Sequence, residues 1–288
     1  MSRAIRIFQG RFGRVALLDM AKPLVAHAHH HCHVLIKISG PDTFFVIRGE
    51  SQPLMRDTAV LVNAWELHSY AYHAPNMGDT ILLALYIEPT WLAQIQNALT
   101  VSGHPNFFPH PCVPLASAAR RLADDLAAQM LVSNRLEPER LENLLFELMM
   151  VVIDRNSEWR NFGELLRASR SQLLDQRIRK AMSLMRKNIG DDQDYATIAA
   201  QCGLSRAHFF ALFRQCTNLT PSVYTNVLRM EAAIREMTEG NSTLAGISLD
   251  LGFSAQSHFT RFFREHLGIP PSEYRRIVDV MQNDSTQP

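Results

Sequence analysis

The side chains best equipped for chemistry are histidines, and they are unevenly placed: seven of the twelve lie between His27 and His73. His27, His29, His31 and His33 alternate just before an apolar run, and His68 closes the stretch Val60-Leu61-Val62-Asn63-Ala64-Trp65-Glu66-Leu67-His68. Imidazoles are good ligands for zinc-like ions, and residues two apart on a strand face one way. One candidate is therefore a metal site on His29, His31 and His68. The competing reading, preferred here, is a ligand pocket without metal or other cofactor, in which His29, His31, Trp65, His68, Tyr70 and Tyr72 give aromatic walls and hydrogen-bonding groups to a small polar organic molecule. Trp91 reads as plain core. The four cysteines (Cys32, Cys112, Cys202, Cys216) form no Cys-x-x-Cys pair, so reduced thiols are expected rather than disulfides or a cysteine-built zinc site.

A second constellation is an internal repeat. Ile198 to Tyr224 reads IAAQCGLSRAHFFALFRQCTNLTPSVY, and Ile247 to Tyr274 reads ISLDLGFSAQSHFTRFFREHLGIPPSEY. Gly203 matches Gly252, Ser205 matches Ser254, Phe213-Arg214 matches Phe263-Arg264, and Pro221-Ser222 matches Pro271-Ser272. The second copy carries one extra residue after its serine. In each copy the glycine can end a short helix in the left-handed conformation, and the serine is expected to cap the next helix. Phe209, Leu212 and Phe213 then bury one side, as do Phe259, Phe262 and Phe263, leaving the opposite face free. That is a helix-turn-helix, whose second helix can enter a major groove. A solenoid repeat with no nucleic-acid role is the plain alternative, and the shared punctuation of two copies weighs against it. Between the copies, Thr220-Pro221 opens a helix running to about Glu239, about 27 Å at 1.5 Å per residue, so two reading helices could reach successive major grooves about 34 Å apart.

These side chains need elements to hold them. Up to about residue 110 the chain alternates short apolar runs (Arg14 to Leu18, Val34 to Ile38, Thr43 to Ile47, Ala59 to Val62, Ile81 to Ile87) with turns such as Gly40-Pro41-Asp42, the pattern of a small antiparallel barrel or sandwich. After a proline-rich passage the period becomes helical: Leu115, Ala118, Ala119, Leu122 and Leu126, then Leu141, Leu144, Leu145, Leu148 and Val152 behind Pro138. The surplus apolar residues Met149, Met150, Val151 and Ile153 call for a second cover, from the β-module or another copy of the chain. Asn161 to Ser171 reads as a polar connection. No apolar run approaches the roughly 20 residues of a membrane span, and the run Val15 to Leu18 is too short for a signal-peptide core, so a cytoplasmic location without membrane contact is expected. With 29 Lys+Arg against 28 Asp+Glu the whole chain is not basic. Residues 170 to 288 carry 14 basic and 12 acidic groups, so any nucleic-acid contact must come from local placement.

Residues from about 172 to 278 resemble the DNA-binding domain of AraC/XylS-type bacterial transcription regulators. The likeness lies in Gly252-Phe253-Ser254, Gln256-Ser257, Phe259, Arg261, Phe263, Gly268 and Pro271-Ser272-Glu273-Tyr274-Arg275. Ser248, Asp250 and Asn218 depart from the family pattern, and asparagine tolerates the left-handed conformation its position requires. The resemblance implies an α+β chain with three parts: a cupin-like effector-binding β-barrel over 1–110, a helical hairpin for linkage and dimerisation over 111–170, and an all-α tandem helix-turn-helix domain over 171–288. It implies a non-enzymatic regulator whose partners are double-stranded DNA, a small-molecule effector, a second copy of itself and RNA polymerase. Carried onto this chain, DNA contacts fall on Gln256, Ser257, Thr260 and Arg261 beside Ser254, and on Arg206, Ala207, Phe210 and Ala211 beside His208. Gln suits adenine, Arg guanine, and the methyls of Thr and Ala thymine. Phe210 is open between groove and core, and Arg214 and Arg264 suit phosphates, which position without specifying. Metal-binding cupins pair His-x-His with a nearby Glu, and that Glu is absent after His29 and His31, where Leu35, Ile36 and Lys37 stand. A metal-dependent cupin enzyme or sensor with a helical appendage is the alternative function.

Overall fold

A computed structural model describes residues 2–71, 78–132, 137–161, 163, 175–190 and 194–281. Tyr72 and most of the polar connection beginning at Asn161 lie outside the described residues. The first part consists of strands β1 (Arg3–Gly10), β2 (Gly13–Met20), β3 (Cys32–Ser39), β4 (Thr43–Ile47), β5 (Glu50–Leu54), β6 (Thr58–Val62), β7 (His68–Ala71), β8 (Thr80–Ile87) and β9 (Cys112–Pro114), with helix α1 (Pro89–Ile95) after β8. The last part adds β10 (Val278–Val280). One sheet runs β10-β1-β2-β8-β3-β6-β9, the other β5-β4-β7. Every pairing is antiparallel except β1 with β10.

The central strands read as unbroken apolar runs because both faces of the large sheet are covered. Val15, Leu17, Val34, Ile36, Leu61, Leu83 and Leu85 join one core, while Ala16, Leu18, Leu35, Val60, Leu82 and Ala84 join another, the alternation that a two-residue period dictates. On the second face, Phe45, Ile47, Leu54 and Tyr70 of the small sheet close a cupin-like module. On the first lie α2 (Ser117–Val132) and α3 (Pro138–Asn156), whose Leu126, Leu141, Leu145, Leu148, Met149 and Ile153 are buried in the same core as the strands. The surplus apolar residues of this hairpin are thus covered by the β-module itself. Trp91 packs against Phe12 in that core, as its sequence context suggests.

The C-terminal part is helical: α4 (Gln176–Lys187), α5 (Tyr195–Gln201), α6 (Arg206–Thr217), α7 (Pro221–Thr238), α8 (Leu244–Asp250), α9 (Gln256–Leu267) and α10 (Pro271–Ile277). The expected punctuation is present. Gly203 and Gly252 have φ of 70° and 75°, and Asn218 holds the left-handed C-cap of α6 at φ 57°. Ser205 accepts from His208 N, and Thr220 caps α7, with Pro221 in its first turn. One expectation fails: Ser254 does not cap α9. The extra residue moves the N-cap to Ala255, which has no side-chain cap, and Ser254 Oγ instead meets His258 Nδ1 at 2.9 Å.

Candidate effector cleft and nucleic-acid interface

Between β2 and β3 the chain leaves the sheet, and residues 26–31 run as a loop tied by the reciprocal pair of backbone bonds between His27 and His68, each 2.9 Å, and by Trp65 N donating to the His29 carbonyl oxygen at 2.7 Å. Strand alternation therefore does not apply to His29 and His31, and they part company. His31 turns its Nε2 to Glu88 at 3.0 Å. His29 turns inward, with ring centroids 4.8 Å from His33 and 4.9 Å from His68. The metal-compatible trio is His29, His33 and His68, which corrects the set inferred from spacing. Burial pushes all three imidazoles below their usual range, His68 to about 4, and the neighbouring imidazoles push His29 and His33 the same way. They are neutral bases at neutral pH.

His30, on the same loop, points the other way. It lies between Glu231 of α7 and Glu88, with Nε2 2.8 Å from the latter. Burial opposes its charge, but bonds to the two carboxylates prevail and raise it to about 10, while His30 and His31 draw the Glu88 carboxyl well below the carboxylate range. This ion cluster joins the β-module to the helical part. Beside it a small cleft is walled by Arg14, His27, His29, His31 and Tyr86 on one side. Val223, Val227, Met230, Glu231 and Ile234 of α7 and Leu267 of α9 form the other. Arg14 is only 5% exposed, and its guanidinium stacks 3.9 Å from the Tyr86 ring centre. A buried cation stacked on an aromatic ring beside an apolar wall suits a small organic anion with a hydrophobic body.

The two reading helices bury one side and offer the other. Phe209 and Phe213 of α6 and Phe259 and Phe263 of α9 are fully buried. Arg206, Ala207, His208, Ala211 and Arg214 on α6 are exposed, as are Ser254, Gln256, Ser257, Arg261 and Arg264 in and beside α9, with Thr260 half-buried. Phe210 is half-buried against Phe209 and Tyr195, and the Arg206 guanidinium sits 5.1 Å over its ring.

Residues 25–149 match the family model described as an AraC-like ligand binding domain, and residues 198–277 match one described as a helix-turn-helix domain. The chain belongs to the AraC-type transcription regulators. An HTH-type transcriptional regulator of Haemophilus influenzae is 24% identical over 108 residues, 38% of this chain and 36% of that protein, so the chain spans about a third of that relative. The HTH-type transcriptional activator RhaS of Shigella sonnei is 24% identical over 256 residues, 87% of each chain. The solved structure of ToxT from Vibrio cholerae with an unsaturated fatty acid bound has a TM-score of 0.51 at 12% identity, covering 93% of this chain and 96% of that one. At that identity the likeness concerns the fold alone.

Within this AraC-type regulator the sequence-derived pocket residues scatter. His29 and His31 do line the cleft. Trp65, held at φ 63°, packs its ring 5.5 Å from Tyr224 of α7 and so joins the two parts rather than walling the cleft. His68 and Tyr70 are buried inside the β-module, Tyr70 against Phe45 at 5.2 Å. Sequence reasoning missed Arg14, Tyr86 and the α7 wall. A lone arginine in the apolar stretch GRVALL was the available signal for the first, since a strand buried on both faces has no solvated side for it.

Proposed function

We propose that this regulator reads a specific double-stranded DNA site through the exposed faces of α6 and α9, and that a small organic anion in the cleft changes how those helices are held. The observation that carries the reading is the doubled arrangement itself: two helices that each end on a left-handed C-cap, Asn218 and Gly268, and each set two buried phenylalanines behind an exposed face drawn from Arg, Gln, Ser and Ala. Gln256, Ser257, Thr260 and Arg261 take base edges, with Arg206, Ala207 and Ala211 as their weaker counterparts. Arg214 and Arg264 take phosphates. Because the cleft draws its walls from the β-module and from α7 and α9, an occupant favours one arrangement of the two, and that differential affinity is what a population shift needs. The fatty acid named for the ToxT structure is an anion of the same chemical class. In this scheme 1–110 senses and 171–288 binds DNA. The hairpin within 111–170 pairs two copies through its outer side, where Leu131 and Val132 are 56% and 85% exposed. The setting is the cytoplasm, with RNA polymerase downstream.

The test is selection of bound sequences from random duplexes by the full chain. Arg261→Ala should cost about 1–3 kcal/mol on the selected site and relax one base position, whereas Arg264→Ala should weaken every sequence alike. If the two variants behave identically on matched and mismatched duplexes, the role assignment fails. For the effector, a series of aliphatic carboxylates should raise the thermal midpoint of the wild type and leave Arg14→Met unmoved.

A further inference from the structure

We propose that His29, His33 and His68 form a binding site for one divalent transition-metal ion of the zinc type, inside the β-module. The argument starts from where each imidazole spends its one N–H. His29 Nδ1 faces the His31 carbonyl oxygen at 3.2 Å, and His68 Nδ1 faces the Glu66 carbonyl oxygen at 2.8 Å. A carbonyl only accepts, so both rings carry their proton on Nδ1 and present a lone pair at Nε2. His33 Nδ1 stands 2.9 Å from His29 Nε2 and must donate to it, which leaves His33 Nε2 as a lone pair too. His33 Nε2 and His68 Nε2 are buried with no hydrogen-bond partner among the described residues.

Three neutral imidazoles thus hold three lone pairs, with one candidate ligand atom from each ring within 4.8 Å of the others, and the single N–H among them satisfies only one. An isolated buried acceptor is costly, and two side by side mark a place for an electron-pair acceptor. Ligands of one zinc at about 2.1 Å lie about 3.4 Å apart in a tetrahedron, so the ion takes the place of the His33–His29 hydrogen bond, the rings close in around it, and His33 carries its proton on the nitrogen turned away from the ion. The supporting shell is already in place, since metal-bound histidines commonly donate their other N–H to a backbone carbonyl, as His29 and His68 do here. An all-imidazole set suits Zn, Ni, Cu or Fe and excludes Mg and Ca, which take oxygen. Three ligands leave a fourth position for water or an exogenous group. His30, His31 and Glu88 are also grouped closely enough for a metal, but there Glu88 already accepts from both imidazoles and His30 also reaches Glu231, so His31 Nδ1 alone of that group's nitrogens is buried without a partner among the described residues.

The experiment uses the full chain without a histidine tag, stripped with chelator and titrated with Zn²⁺ and with Co²⁺ as optical probe. One ion per chain is expected. The cobalt form should show the intense visible d–d bands of a tetrahedral imidazole site, without the near-ultraviolet charge transfer that Cys32 thiolate would give. His33→Gln and His68→Gln should each weaken binding at least tenfold, while the exposed-site control His110→Gln should not. Because a buried variant can misfold, the wild type is read as well: Zn²⁺ should raise its thermal midpoint with a one-site concentration dependence. Sub-stoichiometric metal, thiolate charge transfer, or binding indifferent to His33 and His68 in folded variants overturns the proposal, since buried water then satisfies the lone pairs.

Discussion

Gly203 and Gly252 occupy equivalent turns with nearly equal φ, 70° and 75°, yet their surroundings differ. A Cβ at Gly203 would meet nothing within 4 Å, whereas one at Gly252 would stand 2.2 Å from the Gly190 carbonyl oxygen. Gly203→Ala should therefore cost only the left-handed strain, about 1 kcal/mol. Gly252→Ala adds a backbone collision and should cost more than about 3 kcal/mol. Equal losses in chemical denaturation would show that the Gly190 contact yields freely. The pair also marks how far side-chain roles can be read from sequence. Repeat punctuation specifies φ, because left-handed turns have few residue solutions; Gly203, Gly252, Asn218 and the Ser205 cap were all accessible that way. What a residue touches depends on distant chain. Nothing near Ser254 announced that one inserted residue would move the cap to Ala255, and nothing near His31 announced Glu88, so the assignment of His31 rather than His33 to the trio went astray.

Among the elements, strands buried on both faces were the easiest to find. β2, β3, β6 and β8 stand out because covering both faces requires continuous apolar residues, whereas β4 alternates buried with half-buried positions and is legible because it is apolar from Phe44 to Ile47. β1, β5 and β7 mix buried with half-buried or exposed positions, as edge or one-sided strands do, and carry a weaker pattern. The loop of residues 26–31 has a histidine alternation but forms no strand, and it supplies the junction of His30 with Glu88 and with Glu231 of α7. The sign of its pH dependence follows from the raised histidine. The unfolded chain releases that proton near pH 6.5 and the folded chain near 10, so the stabilisation is complete below about 6.5 and disappears as pH rises through about 10. Glu231→Gln removes one carboxylate and should lower stability at pH 7 and complete the alkaline loss at a lower pH. Denaturation of chelator-stripped protein between pH 6 and 10 reads both effects. Superimposable profiles would mean that the ion cluster contributes nothing to holding α7 on the β-module.

The whole chain is held as one piece by contacts from both reading units. β10 pairs with β1 in parallel, joining Ile7 to Val278, and Phe259, Phe263 and Tyr274 share a core with the barrel residues Ile7, Ala16 and Tyr86. The first unit meets the barrel through Ala28 and Trp65. Ligand chemistry in the β-module is thereby connected mechanically to both DNA-facing helices, a linkage invisible in sequence because Trp65 and Tyr224 are far apart along the chain. Charge works at the same level. Residues 170 to 288 carry 14 basic and 12 acidic groups, so no broad positive field draws DNA in, and affinity must come from a few placed cations. Each phosphate neutralised contributes about −0.9 to the slope of log K against log salt on duplex DNA. The double variant Arg214→Ala with Arg264→Ala should therefore flatten that slope by about 2, while Arg261→Ala, which in the proposed docking removes a base contact, should lower affinity and leave the slope nearly unchanged. Fluorescence anisotropy on one selected duplex over a range of salt concentrations separates the cases. A slope that moves with Arg261 and not with the pair would set Arg261 against the phosphate backbone and overturn the division of roles proposed for Arg261 and Arg264.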